Sequence, residues 1–179
     1  LYIPSRHTGT VYRSTFDKQI EKYVDGLGLA TGLVFDSQQN LLVGDRGGKI
    51  YRINSSQEIS VLCDLEPSVS AYHLASTSDD ALFVTGPTLA TQDCIYRISP
   101  EGQSEVYFKG FGRPQGLGFD GHGNLQVVAS WQGHKGLYTF SNGVPELTVS
   151  GPMLVGLTYN QEGNLLYLAD SSNLYRIAL

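Results

Sequence analysis

Apolar and polar positions alternate along this chain in short runs. The runs form a phrase that recurs: a Gly-aliphatic segment, a polar turn, an aliphatic segment, a loop, and then Tyr-Arg-Ile or a close variant. One copy reads Thr31-Gly32-Leu33-Val34-Phe35-Asp36, Asn40-Leu41-Leu42-Val43-Gly44-Asp45 and Ile50-Tyr51-Arg52-Ile53. The next reads Tyr72-His73-Leu74-Ala75, Ala81-Leu82-Phe83-Val84-Thr85 and Ile95-Tyr96-Arg97-Ile98. A third reads Gln115-Gly116-Leu117-Gly118-Phe119-Asp120, Asn124-Leu125-Gln126-Val127-Val128 and Leu137-Tyr138-Thr139-Phe140. The last reads Val155-Gly156-Leu157-Thr158-Tyr159, Asn164-Leu165-Leu166-Tyr167-Leu168 and Leu174-Tyr175-Arg176-Ile177.

A further run follows each Tyr-Arg-Ile position, at Ile20 to Val24, Glu58 to Leu62, Glu105 to Phe108 and Glu146 to Val149. Four strands per repeat, A to D, are therefore expected. The A to B turns are rich in Asp, Asn and Gly, which accept positive φ and bond to their own backbone, so they support tight antiparallel hairpins. A period of about 40 residues with four short strands predicts an all-β propeller, with the A strands nearest its axis.

Leu1-Tyr2-Ile3 matches a B strand and Thr10-Val11-Tyr12-Arg13 a C strand, while no D strand follows Tyr175-Arg176-Ile177. The expectation is one domain over 1–179, an open fragment of three full and two partial four-stranded antiparallel blades. The complete ring is expected to have six blades, with the N-terminal ones missing.

Composition fits this reading. The 179 residues are 41% hydrophobic and 16% charged, and no apolar run approaches the roughly 18 residues of a membrane helix. The net charge of −5 offers no attraction to phosphate backbones, so nucleic acid is not an expected partner. Cys63 and Cys94 lack metal-ligand spacing and read either as two buried thiols or as one disulfide. No Gly-x-Ser-x-Gly phrase occurs, and the Gly-rich Gly44 to Gly48 stretch has no following helix to cradle phosphate.

The Gly-Leu-x-Phe-Asp, Gly-Asn-Leu and Tyr-Arg-Ile phrases resemble the gluconolactonase-like (senescence-marker-protein or regucalcin-like) family and the related NHL-repeat propellers. That resemblance implies a divalent cation on the axis, held by acidic and Asn side chains just before the innermost strands, and a metal-dependent lactonase or esterase activity. The equivalent positions here are Thr31, Tyr72, Gln115 and Val155, none of them a carboxylate. A family-type cation such as Ca is therefore not expected, no catalytic residue is assigned, and a binding or interaction scaffold is the favoured reading. Its partner is expected to be a small polar ligand or another protein.

In a propeller the D to A and B to C connections emerge together around the channel mouth, where a rigid scaffold presents binding loops. The candidate ligand residues there are Thr31, Asp45, Arg46, Tyr72, His73, Gln115 and Trp131. Structural alternatives stand beside them. Asp45-Arg46 reads equally as a solvated turn, Trp131 as a cover on its blade, His73 as a core histidine and Tyr72 as a channel plug. Asp170 reads as a cap on the Ser171-Ser172-Asn173 turn. The recurring Arg13, Arg52, Arg97 and Arg176 are expected to act structurally between blades.

Overall fold

The computed structural model describes residues 1–160, 163 and 165–178. They contain strands and no helix. The first sheet comprises β1 (Tyr2–Ser5), β2 (Thr10–Ser14) and β3 (Ile20–Val24). The second comprises β4 (Ala30–Phe35), β5 (Leu41–Asp45), β6 (Lys49–Ile53) and β7 (Ile59–Asp64). A seven-stranded sheet follows: β8 (His73–Ser76), β9 (Leu82–Thr85), β10 (Asp93–Ile98), β11 (Ser104–Phe119), β12 (Leu125–Trp131), β13 (His134–Ser141) and β14 (Val144–Ser150). The last comprises β15 (Gly156–Tyr159), β16 (Leu165–Ala169) and β17 (Leu174–Ala178).

One sheet differs from expectation. The outer run at Glu105 to Phe108 and the inner run at Gln115 to Phe119 belong to a single strand, β11. Its first half pairs with β10 as far as Phe111, and its second half pairs with β12 from Gly112 onward. Register shifts on either side of Gln115, with Gly110, Arg113 and Gly116 at positive φ, bend the strand without ending its pairing. Two meanders of four strands thus share one curled strand.

β4, β8, β11 and β15 pack side by side, as expected for innermost strands. Glycine makes that approach possible. A Cβ on Gly32 would lie 2.3 Å from the Tyr72 carbonyl oxygen, and one on Gly116 (φ 46°) would lie 2.9 Å from the Gly156 Cα.

Sandwiching between neighbours explains why the second strand of each repeat is so apolar. On β5, period-2 alternation sends Leu41 and Val43 into a cluster with Val11 and Leu27, and Leu42 into another with Ile50, Leu74 and Val84. Burying each such side chain contributes about 1.5–3 kcal/mol.

The A to B turns are held by the expected chemistry. The Asp36 carboxylate accepts from the Asn40 amide at 2.7 Å and from Asn40 Nδ2 at 2.8 Å, and Asp120 repeats the pattern with Asn124. Asp80 reaches across to Ser37 of the preceding turn. In the last turn, Gln161, Glu162 and Asn164 lie outside the described residues. Of the recurring arginines, Arg52 joins two sheets through the Pro100 carbonyl at 2.7 Å. Arg13 and Arg97 instead pair with Glu21 and Glu105 on the adjacent strand of their own sheets. Cys63 and Cys94 are free thiols, and burial pushes the Cys63 thiol up to about 11.

Candidate functional site

The loop end of the molecule is organised by aspartates that satisfy backbone donors. Asp45 closes β5, is only 8% exposed, and its Oδ1 accepts from the Leu29 amide at 2.7 Å. Gly28 and Gly47 lie so close that a Cβ on either would sit 2.7 or 2.8 Å from this carboxylate. Asp93 accepts from the Thr88 amide and hydroxyl, both at 2.8 Å, and from the Arg113 amide at 3.2 Å. Asp170 caps its own turn as expected, accepting from the Ser172 and Asn173 amides and from the Tyr175 hydroxyl. The Ser172 amide, the Tyr175 hydroxyl and Asn173 hold its carboxyl down at about 2. Arg46 extends the same fastening, its Nη2 donating to the Val69 carbonyl at 2.7 Å. These charges fix loops.

Thr31, Tyr72 and His73 come together at the axis. The Thr31 hydroxyl donates to the Gly44 carbonyl at 3.2 Å and accepts from the Tyr72 amide at 3.1 Å, tying the second sheet to the third. The Tyr72 side chain is buried, 2% exposed, against Gly44 and Gly86, and its hydroxyl donates to the Glu66 carbonyl. Burial pushes this phenol well above its ordinary value.

His73 is different. It stands on β8 opposite Thr85 and lines a cavity of about 230 Å³ walled by β4, β8, β11 and β15. Among the described residues nothing hydrogen-bonds to its imidazole, and no charged residue lines this cavity. Burial lowers its pKa, so at neutral pH the ring is neutral, with one nitrogen donating and the other accepting.

The Thr31 oxygen is engaged twice, the Tyr72 phenol points into the core, Val155 has no side-chain donor atom, and Gln115 lines a different cavity. Among the described residues no three His, Cys, Asp or Glu side chains gather closely enough to hold a metal ion.

That second cavity, about 360 Å³, lies beside the axis and is bordered by Arg113, Gln115, Ser130, Lys135, Met153 and Leu154. Trp131 sits elsewhere again, within an aromatic cluster 6.0 Å from Tyr138, 6.3 Å from Phe108 and 6.5 Å from Phe111. It covers the end of its own sheet. Sequence reasoning thus brought seven residues to one mouth, whereas the structure divides them among an axial cavity, a neighbouring cavity, a clamped turn and an aromatic cap. Arg113 and Lys135, which border the second cavity, were not among them. The clue for the first was an arginine set among the glycines of Gly110-Phe111-Gly112-Arg113-Pro114-Gln115-Gly116.

No protein-family model and no curated protein matches the chain. Solved structures do. A gluconolactonase from Xanthomonas campestris superposes with a TM-score of 0.73 at 17% identity, over 97% of this chain and 66% of that one. A catalytically inactive His-to-Ala virginiamycin B lyase from Staphylococcus aureus, with quinupristin, gives 0.67 at 14%, over 99% and 68%. The chain has the β-propeller fold. TolB from Acinetobacter baumannii gives 0.75 at 13% identity, covering 99% of this propeller chain and 49% of TolB. Among the described residues of the propeller no helix is long and apolar enough to cross a membrane.

Proposed function

We propose that this propeller binds a small polar ligand in its axial cavity, with the neutral imidazole of His73 as the recognising group and Thr31 beside it. The observation that carries this reading is an unpartnered imidazole in a cavity with no charged lining. His73 is partly buried, and its ring nitrogens have no protein hydrogen bond among the described residues, so both are open to a ligand's hydrogen-bonding groups. The lack of charge favours a neutral ligand bearing carbonyl or hydroxyl groups over an ion.

His73 also favours one second reading, a hydrolase of lactones or similar esters. A neutral imidazole can take a proton from water as it attacks a carbonyl. Two similar propellers support interest in such chemistry, one being a gluconolactonase and the other a lyase whose His-to-Ala variant is inactive. Cation-dependent hydrolysis is not part of this proposal, because Thr31, Tyr72, Gln115 and Val155 supply no suitable ligand set.

Calorimetry with glucono-1,5-lactone on wild type, His73→Gln and Trp131→Phe tests the proposal. Binding is expected to weaken about tenfold in His73→Gln, in line with losing a hydrogen bond to the ligand, and to persist in Trp131→Phe. Equal affinity in all three proteins contradicts it. Lactone turnover by wild type that disappears in His73→Gln would carry the hydrolase reading instead.

A further inference from the structure

The cavity beside the axis has a chemistry of its own. Arg113 and Lys135, both exposed, border it, and neither has an ion-pair partner among the described residues. No carboxylate lines it, although the chain as a whole carries a charge of −5. Gln115 and Ser130 add neutral donors whose side chains have no hydrogen bond among the described residues. Met153 and Leu154 give the remaining wall an apolar character.

Backbone conformation shapes this border. Arg113 (φ 48°) and Met153 (φ 65°) lie on different segments bordering the same cavity, and both adopt the left-handed region that non-glycine residues avoid. Each such residue costs on the order of 1 kcal/mol and persists where the surroundings hold it in place. Asp93 does so for Arg113 by accepting its amide hydrogen at 3.2 Å.

We infer that this cavity is a binding site for a small monocarboxylate with an apolar tail. The Arg113 guanidinium offers a planar fork that matches a carboxylate, and Lys135 adds a second positive charge. The tail lies against Met153 and Leu154. A volume of about 360 Å³ restricts the ligand to a small molecule. This inference does not depend on His73 or on the axial site.

Calorimetry on the intact chain with sodium hexanoate, hexan-1-ol and inorganic phosphate tests it. Hexanoate should bind, and hexan-1-ol should bind at least about tenfold more weakly because it lacks the charge. Arg113→Gln should weaken hexanoate about tenfold and Lys135→Gln somewhat less, as expected for hydrogen bonds to charged groups. His73→Gln should leave hexanoate affinity unchanged. Glutamine suits the Arg113 backbone, since Gln39, Gln57 and Gln132 already adopt φ of 63°, 64° and 48° in this chain. Lys135, exposed on β13, carries the test even if the Arg113 variant loses stability. Absence of hexanoate binding, equal binding of the alcohol, or unchanged affinity in both charge variants would overturn the inference. Phosphate binding as tightly as hexanoate would overturn the role of the tail.

Discussion

The axial cavity and its neighbour are divided by one strand, β11, yet they are built by opposite means. Gly116 and Leu117 of β11 face the axis, while Arg113 and Gln115 of the same strand border the cavity beside it. At the axis, four strands crowd together, so the walls are rich in glycine and leucine, and His73 is the lining polar side chain without a hydrogen bond among the described residues. Beside it, bulges and left-handed residues open a space among long cationic side chains. On the proposals above, the uncharged axial lining would favour a neutral ligand and the cationic border beside it an anion.

The sharpest way to break this comparison is to thicken the crowded wall. Gly116→Ala adds a Cβ at positive φ and 2.9 Å from the Gly156 Cα, and is expected to cost about 2–4 kcal/mol in urea unfolding. A loss below about 0.5 kcal/mol would mean that the innermost strands are not tightly apposed.

Next in size comes Asp45→Ala, which leaves the Leu29 amide and the turn around Gly28 unsatisfied and is expected to cost about 1–3 kcal/mol. Asp170, at the matching place in the last sheet, works differently, since its partners lie within its own turn and on Tyr175. Its carboxyl is held at about 2, below the ordinary carboxylate value near 3.9, so the stability it contributes is present above pH 4 or so and is lost as pH falls toward 2. Asp170→Asn should flatten the melting temperature against pH in that window and leave it unchanged near neutrality in slope. A variant that melts with the same acid dependence as wild type would show that the turn does not depend on the ionised carboxylate.

Smaller still is Tyr72→Phe, expected to cost about 1 kcal/mol by removing the donor to the Glu66 carbonyl. Ligand affinity at the axis should not move. A loss of binding without loss of stability would transfer the recognising role from His73 to Tyr72.

Much of this architecture was legible in the chain because a propeller strand's pattern follows directly from burial. The Gly-aliphatic phrase marks strands that approach one another too closely for a Cβ, and the Asp-to-Asn spacing of Asp36 with Asn40 marks a turn that closes on itself. The continuity of β11 was not legible, since the runs at Glu105 to Phe108 and Gln115 to Phe119 read as two strands, whereas the glycines between them permit a bend without ending the pairing. Nor was the division of the candidate residues. Position on the backbone placed Tyr72 and His73 side by side, but alternation sends one ring into the core and leaves the other on the cavity. Arg113 and Lys135 lie far apart in sequence, and it is the pairing of Gly112 with Ser130 and of Ser130 with Lys135 that brings them to a common cavity.

On the proposed reading, His73 is a neutral imidazole with no hydrogen bond among the described residues, open to a ligand at the axis. Its pKa is lowered by burial, so its ring should titrate below the ordinary value of about 6.5, and the fold should lose stability as pH drops below that value, where the unfolded chain takes up the proton more readily. Nitrogen-detected NMR of the four histidine side chains, with and without glucono-1,5-lactone, measures both properties at once. The account predicts a low-titrating His73 whose ring resonances alone move on adding ligand, with His7, His122 and His134 unchanged. A His73 that titrates at or above the ordinary value, or that ignores the ligand while another histidine responds, would contradict it.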